Sequence, residues 1–180
     1  AKMPKKGRGK SAALDPLSIP LELQTALEAL YGHYKETFEL WQKDGIPVPP
    51  CFIVVCNNTS TSKLVYDYIS GFISENTDGT SQLQNGRLEL FRNFTEHGDP
   101  MPRPNTLLID SHQLESGEAL DDSFRAMAGP EIEQFRKDMV ERTGDVQAAA
   151  KIDDATLLRE VMNTVGKPGK LGEAVRCVVS

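Results

Sequence analysis

Cys51-Phe-Ile-Val-Val-Cys56, followed directly by Asn57-Asn-Thr-Ser-Thr-Ser-Lys63, is the stretch on which the fold turns. An apolar run of six with no polar face reads as a strand inside a parallel sheet covered by helices on both sides. The next seven residues bring two side-chain amides, four hydroxyls and one cation. That composition suits a turn that starts a helix. Leu64, Val65, Tyr68, Ile69 and Phe72 then recur at helical spacing. Strand, polar turn and amphipathic helix together open a βαβ unit.

Working outward, Thr106-Leu-Leu-Ile-Asp110 repeats the pattern as a second buried strand ending in the polar turn Ser111-His112-Gln113, and Val175-Arg-Cys-Val-Val179 makes a third. Residues 74–105, rich in Asn, Gly, Thr and Pro, read as an insertion, and the alternating piece Arg87–Phe94 predicts an edge strand or short hairpin within it. Pro130 starts a helix that places Ile132, Phe135 and Met139 on one side, and Asp153 or Asp154 caps another, with Leu157, Leu158, Val161 and Val165 inward. Upstream, Pro20 opens a long helix ended by Asp44-Gly45, its apolar stripe running through Leu23, Leu27, Leu30, Tyr34, Phe38 and Trp41. Packing on a core is the favoured reading of this stripe, and a docking face for a partner is the alternative. The organisation expected is a basic arm over 1–17, an amphipathic helix over 18–45 and an α/β unit over 46–180.

A chain of 180 residues carrying 26% charged and 39% hydrophobic residues is of single-domain size and ordinary composition. Collagen, a disordered tail and a disulfide mini-protein are excluded. The net charge of −6 hides an asymmetry: five basic residues and no acid stand in the first ten, leaving 15 basic against 26 acidic residues in the rest, a balance of −11. Nucleic-acid binders usually show the opposite balance, because phosphate neutralisation drives binding. Nucleic-acid contact here must therefore be local, or borrowed from a larger assembly. Cys51, Cys56 and Cys177 sit among apolar residues and read as buried free thiols of a reducing compartment, while His33, His97 and His112 are too scattered for a zinc site. With no apolar run of membrane-spanning length and no signal-peptide core, the expected location is cytoplasmic and no membrane partner is expected.

The feature best placed for chemistry is the turn Asn57, Asn58, Thr59, Ser60, Thr61, Ser62, Lys63. A helix N-terminus presents free N–H groups and a positive dipole, which suits a phosphodiester, either of a nucleotide or of a nucleic-acid backbone. Simple N-capping by Ser and Thr is the competing reading. A cap needs one such residue where seven are present, and both readings stand on the sequence alone. Ser111, His112 and Gln113 repeat the arrangement more weakly, and as parallel neighbours the two strands would place both turns on the same sheet edge, where together they could hold a nucleic-acid backbone. Gly9-Lys10-Ser11 ends like a phosphate-binding P-loop, but Pro4 stands where that motif needs its first Gly. No acidic residue has Lys two positions later and no Gly-x-Ser-x-Gly occurs, so the common restriction-nuclease and α/β-hydrolase signatures are absent. No residue of the chain is assigned a catalytic, metal-binding or cofactor-binding role.

The runs PPCFIVVCNNTSTSKLVYDYISGF (49–72), RPNTLLIDSHQLESGEALDDSFR (103–125) and LLREVMNTVGKPGKLGEAVRCVVS (157–180) resemble the middle of DEAD/DEAH-type superfamily 2 helicases, specifically the restriction (Res) subunit of type III restriction-modification systems. The resemblance covers about Leu14 to Ser180. It implies a three-layer RecA-like sheet of the P-loop NTPase type, an incomplete second lobe led into by the helix over 18–45. It implies also that Phe52–Lys63 is the motif whose loop touches the nucleic-acid backbone, that Ser111–Gln113 is the next strand-end loop, and that Val175–Ser180 runs towards a further helicase motif. DNA, the first RecA-like lobe, the nuclease domain and the methylation (Mod) subunit are the partners so implied. ATP and magnesium belong, on the same resemblance, to the parent protein, because the Walker motifs, the arginine finger and the nuclease centre lie outside these residues.

Overall fold

The computed structural model describes residues 19–75, 79–109 and 128–180, together with Pro16 and Arg125. Helix α1 (Leu21–Lys43) is followed by strand β1 (Phe52–Val54), helix α2 (Thr59–Ser70) and a hairpin of β2 (Gly71–Glu75) and β3 (Ser81–Asn85). A 3-10 turn (Glu89–Phe91) leads to β4 (Thr106–Leu108), and then come α3 (Gly129–Thr143), α4 (Val146–Ala150), α5 (Asp154–Asn163) and β5 (Cys177–Val179). The arm over 1–17 lies outside the described residues, Pro16 apart.

The three apolar runs pair into one parallel sheet of order β1-β5-β4, with Phe52, Cys177 and Thr106 in register. Residues alternate between two faces. Phe52, Val54, Cys177, Val179 and Leu108 pack with Leu64, Val65, Tyr68 and Ile69 of α2 and with Leu27, Tyr34 and Phe38 of α1. On the other face, Leu107, Val175 and Val178 pack with Ile132 and Phe135 of α3 and Leu157, Leu158 and Val161 of α5. The result is a three-layer α/β arrangement. The chain crosses from β1 out to β4 over one face and returns to β5 over the other. Parallel crossovers of a single hand require this exchange of faces when the direction reverses.

α1 lies on the core, yet its stripe is rotated from the expected one. Leu27, Tyr34 and Phe38 are buried and Tyr31 is half-buried against the core, whereas Leu30 is 53% exposed. Rings decide the rotation: Tyr34 sits 4.5 Å from Phe91 and 6.1 Å from Phe52 between ring centroids, and Tyr31 meets Phe91 edge-on at 5.4 Å. Tyr31 brings a hydroxyl that accepts from the Leu90 N–H at 3.1 Å, a contact no leucine makes. The Tyr34 hydroxyl donates to the Pro50 carbonyl at 2.9 Å. Burial raises its pKa, so it stays a protonated donor.

The expected strand over Arg87–Phe94 is instead a turn, and the hairpin lies before it, at 71–85. Leu88 and Phe91 are both fully buried. Three-residue spacing puts them on one side of a 3-10 turn, where strand geometry would send them to opposite faces. Leu88 and Phe91 sit in the same core as Leu108 and Cys177.

Two residues later, Asn93 closes the outer edge of β4. Its amide group donates to the Thr106 carbonyl at 2.8 Å and its amide oxygen accepts from the Thr106 N–H at 2.9 Å, as a neighbouring strand would. The same nitrogen donates to the Tyr66 hydroxyl, and the Thr106 hydroxyl donates to the Phe91 carbonyl.

The Cys51–Cys56 run departs from the expected burial on both faces. β1 is the opposite edge strand. Phe52 and Val54 face the core, but Ile53 is 65% and Val55 79% exposed. The helices of that face cover β4 and β5 and stop short of β1.

Candidate functional site

The strands are parallel, so the carboxyl ends of β1, β4 and β5 share one edge of the sheet, where ligands bind in open α/β sheets. There Cys56 leads into Asn57 and Asn58, and α2 begins at Thr59. Asn58 is the N-cap: its side-chain oxygen accepts from the Thr61 N–H at 2.9 Å, and its side-chain nitrogen donates to the Asn57 side chain at 2.8 Å. Capping therefore uses one side chain of the seven.

The remaining six divide by helical pitch. Asn57, Thr59 and Ser60 are exposed and Thr61 is half-buried. Ser62 is turned inward, 1% exposed, with its hydroxyl donating to the Thr59 carbonyl at 3.0 Å. Lys63 is exposed, but its ammonium donates to Asp67 at 2.7 Å and lies 5.2 Å from the centre of the Tyr66 ring. Burial pushes the Asp67 carboxyl upward and the Lys63 charge pulls it back. Beside the Lys63–Asp67 pair, the start of the helix thus presents a neutral polar cradle to solvent: the side chains of Asn57, Thr59 and Ser60, with the first-turn N–H groups that have no partner within a helix.

Ser111, His112 and Gln113 lie outside the described residues. The strand before them, β4, is not the neighbour of β1, because β5 runs between. The carboxyl ends of β1 and β4 are two strand spacings apart, about 9–10 Å. Ser180 sits between them, its N–H donating to the Val54 carbonyl and its carbonyl accepting from the Cys56 N–H at 2.6 Å. The sequence carries no signal for this interposition, since strand order depends on how the two crossovers pass over the sheet.

At the opposite, amino-terminal edge, a groove of about 250 Å³ is lined by Trp41, Ile46, Pro47, Arg103, Glu173 and Arg176, among others. Its charged groups are taken up internally. Arg103 pairs with Glu131 and holds that carboxyl below its ordinary range. Arg176 donates to the Leu90 carbonyl and stacks on Phe38. Glu173 accepts from the Gly169 N–H. The groove reads as a structural joint between α1 and the strands.

The thiols of Cys51, Cys56 and Cys177 are free, and burial raises the pKa of each, which keeps them protonated and poorly nucleophilic. Among the described residues no group of three or more His, Cys, Asp and Glu side chains converges to hold a metal ion, and no helix is long and apolar enough to cross a membrane. No protein-family model matches the chain, and no curated protein and no solved structure matches it.

Proposed function

We propose that this chain is part of the second RecA-like lobe of a DEAD/DEAH-type helicase or translocase, the restriction subunit of a type III restriction-modification system. In this reading it grips one DNA strand by its phosphates and leaves ATP chemistry to other parts of the parent protein. The observation that carries the proposal is the cradle at the start of α2, with Asn57, Thr59 and Ser60 exposed at the carboxyl edge of a parallel sheet. A phosphate there meets N–H donors, two hydroxyls, an amide and the positive end of a helix dipole. No like charge opposes it in the first turn, which has no acidic residue.

Because Lys63 is engaged by Asp67, the contact is dipolar and weakly dependent on salt. Each ion-paired phosphate contact steepens the salt dependence on a single strand by about 0.7 in log–log slope. ATP and magnesium bind, on this proposal, outside the residues described. No step of ATP hydrolysis is assigned to the described residues. The docking alternative for α1 finds less support, because Leu27, Tyr34 and Phe38 are spent on the chain's own core.

The test is single-stranded DNA binding at low salt by the unmodified chain, by Asn57→Ala and by Thr59→Glu. Glu in the first turn favours the helix dipole, so Thr59→Glu keeps α2 folded while repelling phosphate. Binding weakened by both substitutions supports the proposal. Binding that is undetectable, or indifferent to both, removes the nucleic-acid role from this turn.

A further inference from the structure

We propose that Asp67 is a positioning residue that holds the Lys63 ammonium away from the cradle at the start of α2, and so keeps the grip on a phosphate dipolar and weak. The inference rests on the phosphate-binding reading of that cradle and adds to it what sets the strength of the grip.

Helix geometry gives Lys63 two stations. A helical side chain leans towards the N-terminus, over the residues three and four before it. For Lys63 these are Ser60 and Thr59, the two exposed hydroxyls of the cradle. The ammonium takes the other direction. It donates to the Asp67 carboxylate at 2.7 Å, four residues on, and lies 5.2 Å from the centre of the Tyr66 ring, three residues on. From Asp44 to Gly86 the sequence carries no other Lys or Arg. Holding this one back therefore leaves the turn without a cation of its own.

What holds Lys63 is the burial of its partner. An open i,i+4 ion pair is weak and would yield its lysine to a phosphate. Asp67 is not open: its side chain is 12% exposed, against 57% for Lys63. Burial pushes the Asp67 carboxyl upward, and among the described residues Lys63 alone counters that shift. Were the ammonium to leave, a carboxylate largely out of water would lose its counter-ion, and stranding one partner of a buried pair costs far more than the pair contributes. Tyr66 belongs to the same station. Its hydroxyl accepts from the Asn93 side-chain nitrogen at 3.0 Å, which anchors the ring to the β4 edge.

Single-stranded DNA binding as a function of salt tests this, with the unmodified chain, with Asp67→Asn, and with Asp67→Asn combined with Lys63→Ala. Asn keeps the size of the side chain and leaves no carboxylate to strand. A freed Lys63 adds one ion-paired phosphate contact, so the log–log salt slope of Asp67→Asn is expected to steepen by about 0.7, and a fourfold fall in salt to tighten it about 2.6-fold more than the unmodified chain. The combined variant is expected to return to the unmodified slope. In the unmodified chain the carboxyl carbon-13 shift of Asp67 is expected to stay in place on saturation with DNA, a readout that depends on no variant folding. A slope unchanged by Asp67→Asn, a steeper slope that survives Lys63→Ala, or an Asp67 carboxyl that shifts as DNA binds would each overturn the proposal. Where the unmodified chain still binds and is weakened by Asn57→Ala, such a result removes the restraint and leaves the cradle standing. Binding undetectable in the unmodified chain and in Asp67→Asn alike removes both.

Discussion

Along the β4 edge of the sheet the Asn93 amide stands in for a missing strand, satisfying both backbone groups of Thr106, while along the β1 edge no such substitute for the equivalent groups of Ile53 and Val55 occurs among the described residues. Thr106 is 1% exposed, whereas Ile53 is 65% exposed. The two edges belong to the same three strands and differ in what the chain does next. After α2 it turns back through the hairpin and lays residues 86–105 beside β4, and no described segment returns to β1. Burial of an apolar strand is therefore set by its neighbours in the sheet and only secondarily by its own composition.

The largest break in the comparison comes from removing the closure. Asn93→Leu leaves the Thr106 N–H and C=O buried without partners and removes the donor to the Tyr66 hydroxyl oxygen. A buried polar group left unpaired costs about 1–3 kcal/mol. The loss is expected to reach about 3–4 kcal/mol in urea denaturation. If Asn93→Leu costs less than about 1 kcal/mol, the amide is incidental and the two edges are energetically alike.

A smaller break, still on the closed side, is Gly86→Ala. Gly86 passes so close to α2 that a Cβ would stand 2.1 Å from the Ile69 carbonyl oxygen, and backbone on both sides leaves no flexible side chain to yield. Forcing the segment away from α2 is expected to cost about 2–3 kcal/mol, in the range of overpacked cores. A thermal melt unchanged by the methyl group would show that residues 86–105 tolerate displacement from the sheet.

Smaller again is Arg103→Gln, which removes the ion pair that ties the approach to β4 to the first turn of α3. The Arg103 guanidinium holds the Glu131 carboxyl below its ordinary value, so the pair stabilises the fold in full above the unfolded carboxyl's pKa of about 4.5 and loses its effect as pH falls through the lowered folded value. The difference between Arg103→Gln and the unmodified chain is expected to be about 0.5–1 kcal/mol at neutral pH and to shrink on acidification below that range. A difference that is constant with pH would mean that Arg103 acts by packing alone.

Much of this was legible in the residues. Pro20 and Asp153 mark helix starts at the right places because a cap or a helix-opening proline is a local property, and the three apolar runs are the three strands of the parallel sheet; at α2 the cap is Asn58 where Ser or Thr was expected. Strand order was not legible, since nothing in Phe52–Val54 records that β5 lies beside it. The Asn93 closure was hidden for the same reason: a buried asparagine thirteen residues before Thr106 looks, in sequence, like one more polar loop residue. At the candidate site, the turn and its helix were readable from composition. Which of the seven side chains face solvent was not, because that depends on the pitch that turns Ser62 inward and the reach that brings Lys63 to Asp67.

The smallest expected effect is the most informative about β1. Ile53 belongs to the most apolar run of the chain, and sequence alone predicts that a polar substitution there costs as much as in any core. In the structure its side chain is largely in water already, so Ile53→Thr, which keeps the β-branch and the strand preference, removes almost no buried contact. Its stability is expected to change by less than about 0.5 kcal/mol. Val54→Thr, one residue along and facing α1 and α2, should cost about 1–2 kcal/mol, because it buries a hydroxyl where a methyl stood. Equal losses at the two positions would mean that something covers the Ile53 face. A clear inequality would establish that this strand is finished on one side only.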